Sequence, residues 1–357
     1  MTTETQIDPQ KAEAFAGQMV GLLNNSMLAV LTSVGHRTEL FDKMATMSPA
    51  TSDEIAKQTG LNERYVREWL GAMVTGRVID YDPANRTYRL PPEHAAFLTR
   101  AAGPNNMATM TQFLALCGSV EDGIVESFRK GGGVPYSQFG KFQELMAEES
   151  AGVVDATLLG STLPLTGMVD RLTSGIDVLD VGCGQGHAIN TMAREFPNSR
   201  FTGYDFSEEG VGAGQKEAKS WGLSNSKFVV QDVAKVKDKA AYDLITAFDA
   251  IHDQAHPAQV LKGISDALRP GGVFLMVDIA ASSNLEENME HPLAPMLYSI
   301  STLHCMTVSL ALGGDGLGTV WGEQLARKML ADVGFTNVEV KRVEGDILNA
   351  YYVARKD

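Results

Sequence analysis

The stretch Val178-Leu179-Asp180-Val181-Gly182-Cys183-Gly184-Gln185-Gly186 decides how this chain is read. An apolar run carrying one carboxylate meets glycines at positions 182, 184 and 186. Glycine takes backbone angles closed to other residues and lets a ligand approach the main chain closely. The pattern predicts a buried strand, a tight turn and the start of a helix.

Outward from that turn, strand-like runs alternate with helical stretches. The strands are expected at Ile176–Val181, Arg200–Asp205, Lys227–Gln231, Tyr242–Phe248 and Gly272–Ile279, and Asn337–Arg342 and Ala350–Arg355 read as a terminal pair. Such alternation implies a parallel, doubly wound sheet. Three strand ends then carry candidate ligand residues: the glycine turn with Asp180, then Gly203-Tyr204-Asp205-Phe206, then Gln231-Asp232-Val233. In open α/β sheets, ligands bind at this edge.

Two cofactor classes use a glycine turn of this kind. Dinucleotide sites want G-x-G-x-x-G, with a pyrophosphate at the helix N-terminus. Here the third glycine comes one residue early, and His187 stands where that pattern wants glycine. The arrangement resembles the first motif of class I S-adenosylmethionine-dependent methyltransferases. The resemblance implies that Asp180, Gly182, Gly184 and Gly186 surround the methionine part of the cofactor. It implies that Asp205 accepts the ribose hydroxyls, and that Phe206, Asp232, Val233 and Phe248 complete the cofactor set. A surface Asp205 in a turn and an Asp232 that caps a helix are the plainer alternatives.

Beyond the fourth strand lies Ala247-Phe248-Asp249-Ala250-Ile251-His252-Asp253, then a helix ending in Leu268-Arg269-Pro270-Gly271-Gly272. This segment resembles the catalytic stretch of plant-type and bacterial small-molecule O-methyltransferases. By that resemblance His252 is a general base and Asp278 orients it. An imidazole, with an unperturbed pKa of about 6.5, takes a proton near neutrality. The match departs from the family twice: Gln254 replaces its tryptophan, and Asp278 stands where a glutamate orients the histidine. Glu323 is the other candidate acid. N- or S-methylation, which needs no strong base, stays open. So does a structural role for His252.

Met296, Tyr298, His304, Cys305, Met306 and Trp321 line either an acceptor pocket or a helix core. Gly313-Gly314-Asp315-Gly316 reads as a flexible loop. Residues 95–170 read as mostly helical, interrupted by a loop at Gly131-Gly132-Gly133 and Pro135.

Upstream, Ser52 is expected to cap one helix, with Gly60 ending it, and Asn62 to cap a second helix carrying Val66, Trp69, Leu70 and Met73 on one face. Val78–Tyr81 and Thr87–Leu90 read as two short strands. Helix–turn–helix plus hairpin is a winged helix, and O-methyltransferases of the resembled type use one for dimerisation. A DNA-binding regulator that senses a ligand is the rival reading. Residues 51–100 hold seven basic and seven acidic side chains, so the segment lacks the electrostatic footprint of a nucleic-acid binder.

The expected fold is therefore α/β: a Rossmann-like seven-stranded doubly wound sheet behind a mainly helical winged-helix domain. The boundaries are 1–100 for the winged helix, 101–170 for a helical connector and 171–357 for the cofactor domain. With 357 residues, two domains are the natural prior. The net charge of −14 disfavours a polyanion partner for the whole chain. Three cysteines, far apart and without CxxC spacing, fit a reducing compartment and argue against both a disulfide framework and a zinc site.

Met1–Gln6 reads as a loose tail without signal-peptide features. No stretch is expected to reach the ~18–20 apolar residues of a membrane span, and the chain is placed in the cytoplasm. Phe15, Met19, Leu22, Leu23, Leu28 and Leu31 recur at helix spacing and suggest a buried or dimer-forming helix. The expected partners are a small-molecule acceptor and a second copy of the chain. No metal is expected, because clustered carboxylates are not evident near the active edge.

Overall fold

A computed structural model describes residues 7–344 and 346–357. The reading of Met1–Gln6 lies outside the described residues. The chain divides into two compact units, Met1–Ala115 and Leu116–Asp357. The break falls inside the segment expected to be a connector.

The first unit opens with α1 (Pro9–Arg37), 29 residues long. Asp8 caps it by accepting from the Gln10 amide at 3.0 Å, and Pro9 occupies the first helical position, where no donor is needed. After α2 (Leu40–Ala45), α3 (Ser52–Thr59) begins one residue earlier than expected. Thr51, not Ser52, is the cap: Glu54 N donates to its hydroxyl, and Glu54 Oε2 accepts from Thr51 N at 2.8 Å. This reciprocal box satisfies two helix-end donors, which a cap at Ser52 would not do. Gly60 ends α3 in the left-handed conformation and Asn62 caps α4 (Glu63–Thr75), as expected.

Val66, Trp69, Leu70 and Met73 of α4 are buried, and Trp69 Nε1 donates to Leu31 O at 2.8 Å. β1 (Asp80–Asp82) and β2 (Thr87–Arg89) pair antiparallel as the hairpin.

Of the alternatives for α1, burial within the chain holds only for its later part: Leu28 and Leu31 pack against the core, whereas Phe15, Leu22 and Leu23 are 56–63% exposed. The expectation that no stretch reaches membrane-spanning length is corrected: α1 is long and apolar enough, by length and composition, to cross a membrane. The interleaved Gly, Asn and Ser residues hide this when only strictly apolar runs are counted, because near-neutral residues barely lower the average over a helix.

The second unit holds a seven-stranded sheet of order β5-β4-β3-β6-β7-β9-β8. Its strands are β3 (Asp177–Val181), β4 (Arg200–Asp205), β5 (Ser226–Val230), β6 (Tyr242–Phe248), β7 (Leu268–Ile279), β8 (Asn337–Lys341) and β9 (Asn349–Arg355). The first five run parallel, and β9 is antiparallel to both β7 and β8. Both faces are covered by apolar clusters, which is why β6 and β7 read as nearly continuous apolar runs.

The chain order reverses at β3, whose neighbours are β4 on one side and β6 on the other. In open α/β sheets, ligands bind outside the carboxyl ends of the strands at such a switch point.

Candidate active site

The glycine turn closes β3 onto β4. The amides of Gly182 and Cys183 both donate to Tyr204 O, at 2.8 and 3.1 Å. Gly184 N donates to Asp205 Oδ2 at 2.8 Å. Two of the glycines are required for different reasons. At Gly186 φ is +74°, and a Cβ would come within 2.2 Å of the buried Phe228 ring. At Gly184 φ is +51°, and a Cβ would meet nothing within 4 Å. Packing dictates the first, and the open cradle beside the backbone belongs to the second.

His187 then opens the helix His187–Glu195. Its ring is held between Glu217 at 2.8 Å and Asp155 at 3.0 Å.

Two buried acids flank the turn. Asp180 accepts from Thr246 Oγ1 at 2.6 Å, and desolvation pushes its carboxyl up to about 7 against that hydrogen bond. Asp205 is raised by desolvation, opposed by the amides of Ser207 and Gly184. Its oxygens accept from the Gly184 and Ser207 amides at 2.8 Å each, and the Phe206 amide adds a third backbone hydrogen bond.

Asp232 is half-exposed. It caps the short Val233–Lys235 turn and pairs with Lys235 at 2.8 Å, so the helix-cap alternative describes its present contacts. Val233 is buried in the core. Phe206 is exposed on one side and lies 5.3 Å, ring to ring, from Tyr136. Phe248 is half-buried at the end of β6.

The second cluster forms where β6 and β7 end. Asp249 has a left-handed backbone (φ +47°), which ends the strand sharply, and its amide donates to Val277 O. His252 follows, almost fully buried. Its Nδ1 lies 2.8 Å from Asp278 Oδ1, and the same oxygen accepts from Trp321 Nε1 at 3.0 Å and from the Ile279 amide at 2.8 Å. Three donors converge on that one oxygen, which leaves Nδ1 as the protonated side of the ring. Nε2 faces Asp253 Oδ1 at 3.4 Å, and Tyr136 donates its hydroxyl to Asp253 Oδ2 at 2.9 Å. Desolvation opposes the imidazolium, but Asp278 and Asp253 outweigh it and hold His252 well above its ordinary range. The ring therefore favours its protonated form, and the neutral form with a free Nε2 lone pair is reached only as pH rises through that raised value.

The helical run after β7 contains a π turn at Ser301–Cys305. Such turns re-aim side chains and are frequent at functional sites. His304 stacks on Phe142 at 4.1 Å, and Cys305 lies beside His252.

Several expectations change. Clustered carboxylates do exist: Asp249, Asp253 and Asp278 surround one imidazole. They escape notice in the sequence because two strand ends bring them together. Glu323 is occupied by Arg327 at 2.8 Å and lies 3.6 Å from Arg342. The second acid beside His252 is Asp253. Trp321 is buried in the core, as one alternative held, and its indole also donates to Asp278. The Gly313–Gly316 loop is pinned, Asp315 N donating to Ala255 O and Gly316 N to Ser309 Oγ. Nothing in the sequence pattern marks Tyr136 itself. The glycine-rich segment before it, Gly131–Gly133, was the available signal.

Residues 172–334 match the family described as a methyltransferase domain, and residues 26–100 match the Rv2258c-like winged HTH domain. Over 167 residues the chain is 30% identical to a sterol 24-C-methyltransferase of Eremothecium gossypii, covering 46% of this chain and 41% of that one. Over 104 residues it is 32% identical to a ubiquinone biosynthesis O-methyltransferase of Aeromonas salmonicida, covering 28% and 42% respectively. The matches thus span less than half the length of these two curated relatives. The fold is shared along the whole chain with human N-acetylserotonin methyltransferase in complex with SAM, at a TM-score of 0.68 and 17% identity, covering 100% of this chain and 99% of that one.

Proposed function

We propose that this chain, which carries a winged helix-turn-helix domain followed by a methyltransferase domain, transfers the methyl group of S-adenosylmethionine to a hydroxyl of a small-molecule acceptor. The observation that carries this reading is the buried His252–Asp278 pair, on the sheet edge that also bears the glycine turn. The two are close: a Cβ on Gly182 would lie 2.6 Å from Ala250 Cβ, two residues before His252.

The residues present fit the cofactor. Gly184 offers exposed backbone without a Cβ, and the acids Asp180, Asp205 and Asp249 suit a ligand of net positive charge. Gly182, Gly184 and Gly186 would hold its methionine part, Asp205 its ribose, and Phe206, Asp232, Val233 and Phe248 its adenine side. When bound, it supplies a methyl group already activated by a sulfonium.

The chain's own part is alignment, exclusion of water and removal of one proton. Asp278 fixes the ring so that Nε2, in the fraction of molecules whose ring is neutral, accepts the acceptor's proton, and burial keeps the site dry. Trp321 and the Ile279 amide hold Asp278 in turn.

The exposed apolar face of α1 supports a homodimer, and we place the protein in the cytoplasm. The balanced charge of the winged helix supports a role other than nucleic-acid binding.

Calorimetry with S-adenosylmethionine, with NAD as the control, tests the cofactor, and formation of S-adenosylhomocysteine with hydroxylated acceptors tests the reaction. Micromolar cofactor binding that Asp205→Ala weakens severely is expected, because buried acceptors are lost. No detectable binding at millimolar cofactor would sink the reading.

A further inference from the structure

We propose that His252, Asp253 and Cys305 form a binding site for a soft divalent cation, with Zn²⁺ the best fit. One ligand atom from each residue lies within 4.8 Å of the other two, so imidazole, carboxylate and thiol donors converge. The separation of His252 Nε2 and Asp253 Oδ1 is 3.4 Å. Two ligands each ~2.0–2.1 Å from a tetrahedral ion stand about 3.4 Å apart. A hydrogen bond between the same atoms would bring them to about 2.9–3.0 Å. Asp253 Oδ1 is buried and makes no hydrogen bond among the described residues, an unfavourable state that an ion would relieve.

The outer contacts are those a metal site needs. His252 turns its other nitrogen to the Asp278 carboxylate at 2.8 Å, the arrangement that fixes ring and tautomer in metal-bound histidines. Tyr136 holds the far oxygen of Asp253 at 2.9 Å. A mixed nitrogen, oxygen and sulfur set selects zinc over calcium or magnesium, and three protein ligands leave a fourth position open. Asp249, His252 and Asp278 form a second close group. The hydrogen bond between Asp278 and Nδ1 already uses that side of the ring, which favours the set containing Cys305.

The site goes beyond the methyl transfer proposed above and competes with it. The ion takes the Nε2 lone pair that would accept the acceptor's proton. On binding, the Cys305 thiol and the protonated His252 Nε2 each give one proton to solvent as the sulfur–metal and nitrogen–metal bonds form, with no change of oxidation state.

The test uses the full chain after chelation, titrated with Zn²⁺ in equilibrium dialysis and with Co²⁺ in absorption spectroscopy. A single ion per chain and a thiolate-to-cobalt charge-transfer band are expected. Cys305→Ser should remove the band, Asp278→Asn should weaken binding ~10–100-fold, and Cys117→Ser should change neither. Circular dichroism and Tm verify that each variant is folded. No stoichiometric binding, or a band that survives Cys305→Ser in folded protein, overturns the site.

Zn²⁺ should also suppress turnover reversibly, and turnover that rises with Zn²⁺ overturns the competition. Metal binding without methyl transfer keeps the site and rejects the enzymatic reading. Methyl transfer by metal-free protein that binds no ion does the reverse.

Discussion

His252 Nδ1 lies 2.8 Å from Asp278 Oδ1, and both side chains are buried. The other Asp278 oxygen has no hydrogen-bond partner among the described residues. An asparagine there can keep its carbonyl oxygen on the three donors while its amide replaces the unpartnered oxygen. Asp278→Asn should therefore fold, and it isolates the charge. His252→Ala should lower kcat by ~10²–10⁴, and Asp278→Asn should lower it in the same direction. Cofactor affinity should change little in both. Steady-state kinetics beside calorimetry checks this, and full turnover by His252→Ala removes the base.

The glycine turn separates stability from binding. Gly186→Ala places a methyl group against Phe228 at a left-handed φ. It should cost about 2–4 kcal/mol, from backbone strain plus overpacking. Gly184→Ala meets open space and should cost only about 1–2 kcal/mol of backbone strain, yet weaken cofactor binding more. Denaturant melts and calorimetry on both variants decide it. Equal binding losses would show that Gly184 does not face the ligand.

His187 makes a pH-dependent contribution to stability. Desolvation lowers its pKa, but the hydrogen bonds and charges of Asp155 and Glu217 outweigh it, and the folded value lies above the ordinary 6.5. Folding therefore favours the protonated ring. The stabilisation is complete below the unfolded pKa and is lost as pH rises through the raised folded value. The stability gap between the parent and His187→Gln should shrink as pH climbs from 6 to 9. A gap that widens over that range contradicts the assignment.

The α1 face can be tested without touching the site. Leu23 and Met27 are 63% and 66% exposed. Leu23→Glu with Met27→Glu should convert a dimer to a monomer in light scattering, with α1 still helical. A parent protein that is already monomeric and soluble rules out the dimer. One that fractionates with membranes assigns the face to lipid.

The sequence by itself was enough for the alternation of strands and helices, the glycine turn, the hairpin and the helix ends, apart from the one-residue shift from Ser52 to Thr51. These features follow from spacing within a few residues, where steric and hydrogen-bond rules act locally. His252 and Asp278 were paired only by the resemblance to O-methyltransferases, since nothing local in the sequence links them. The tertiary structure decided the rest. Asp249, Asp253 and Asp278 gather around one imidazole because β6 and β7 are neighbours in the sheet. Tyr136 and Cys305 join them from segments more than a hundred residues apart, with no pattern linking them in the sequence. Periodicity likewise marked α1 as apolar, but whether that face finds a partner within the chain depends on packing, and there the folded chain leaves it open.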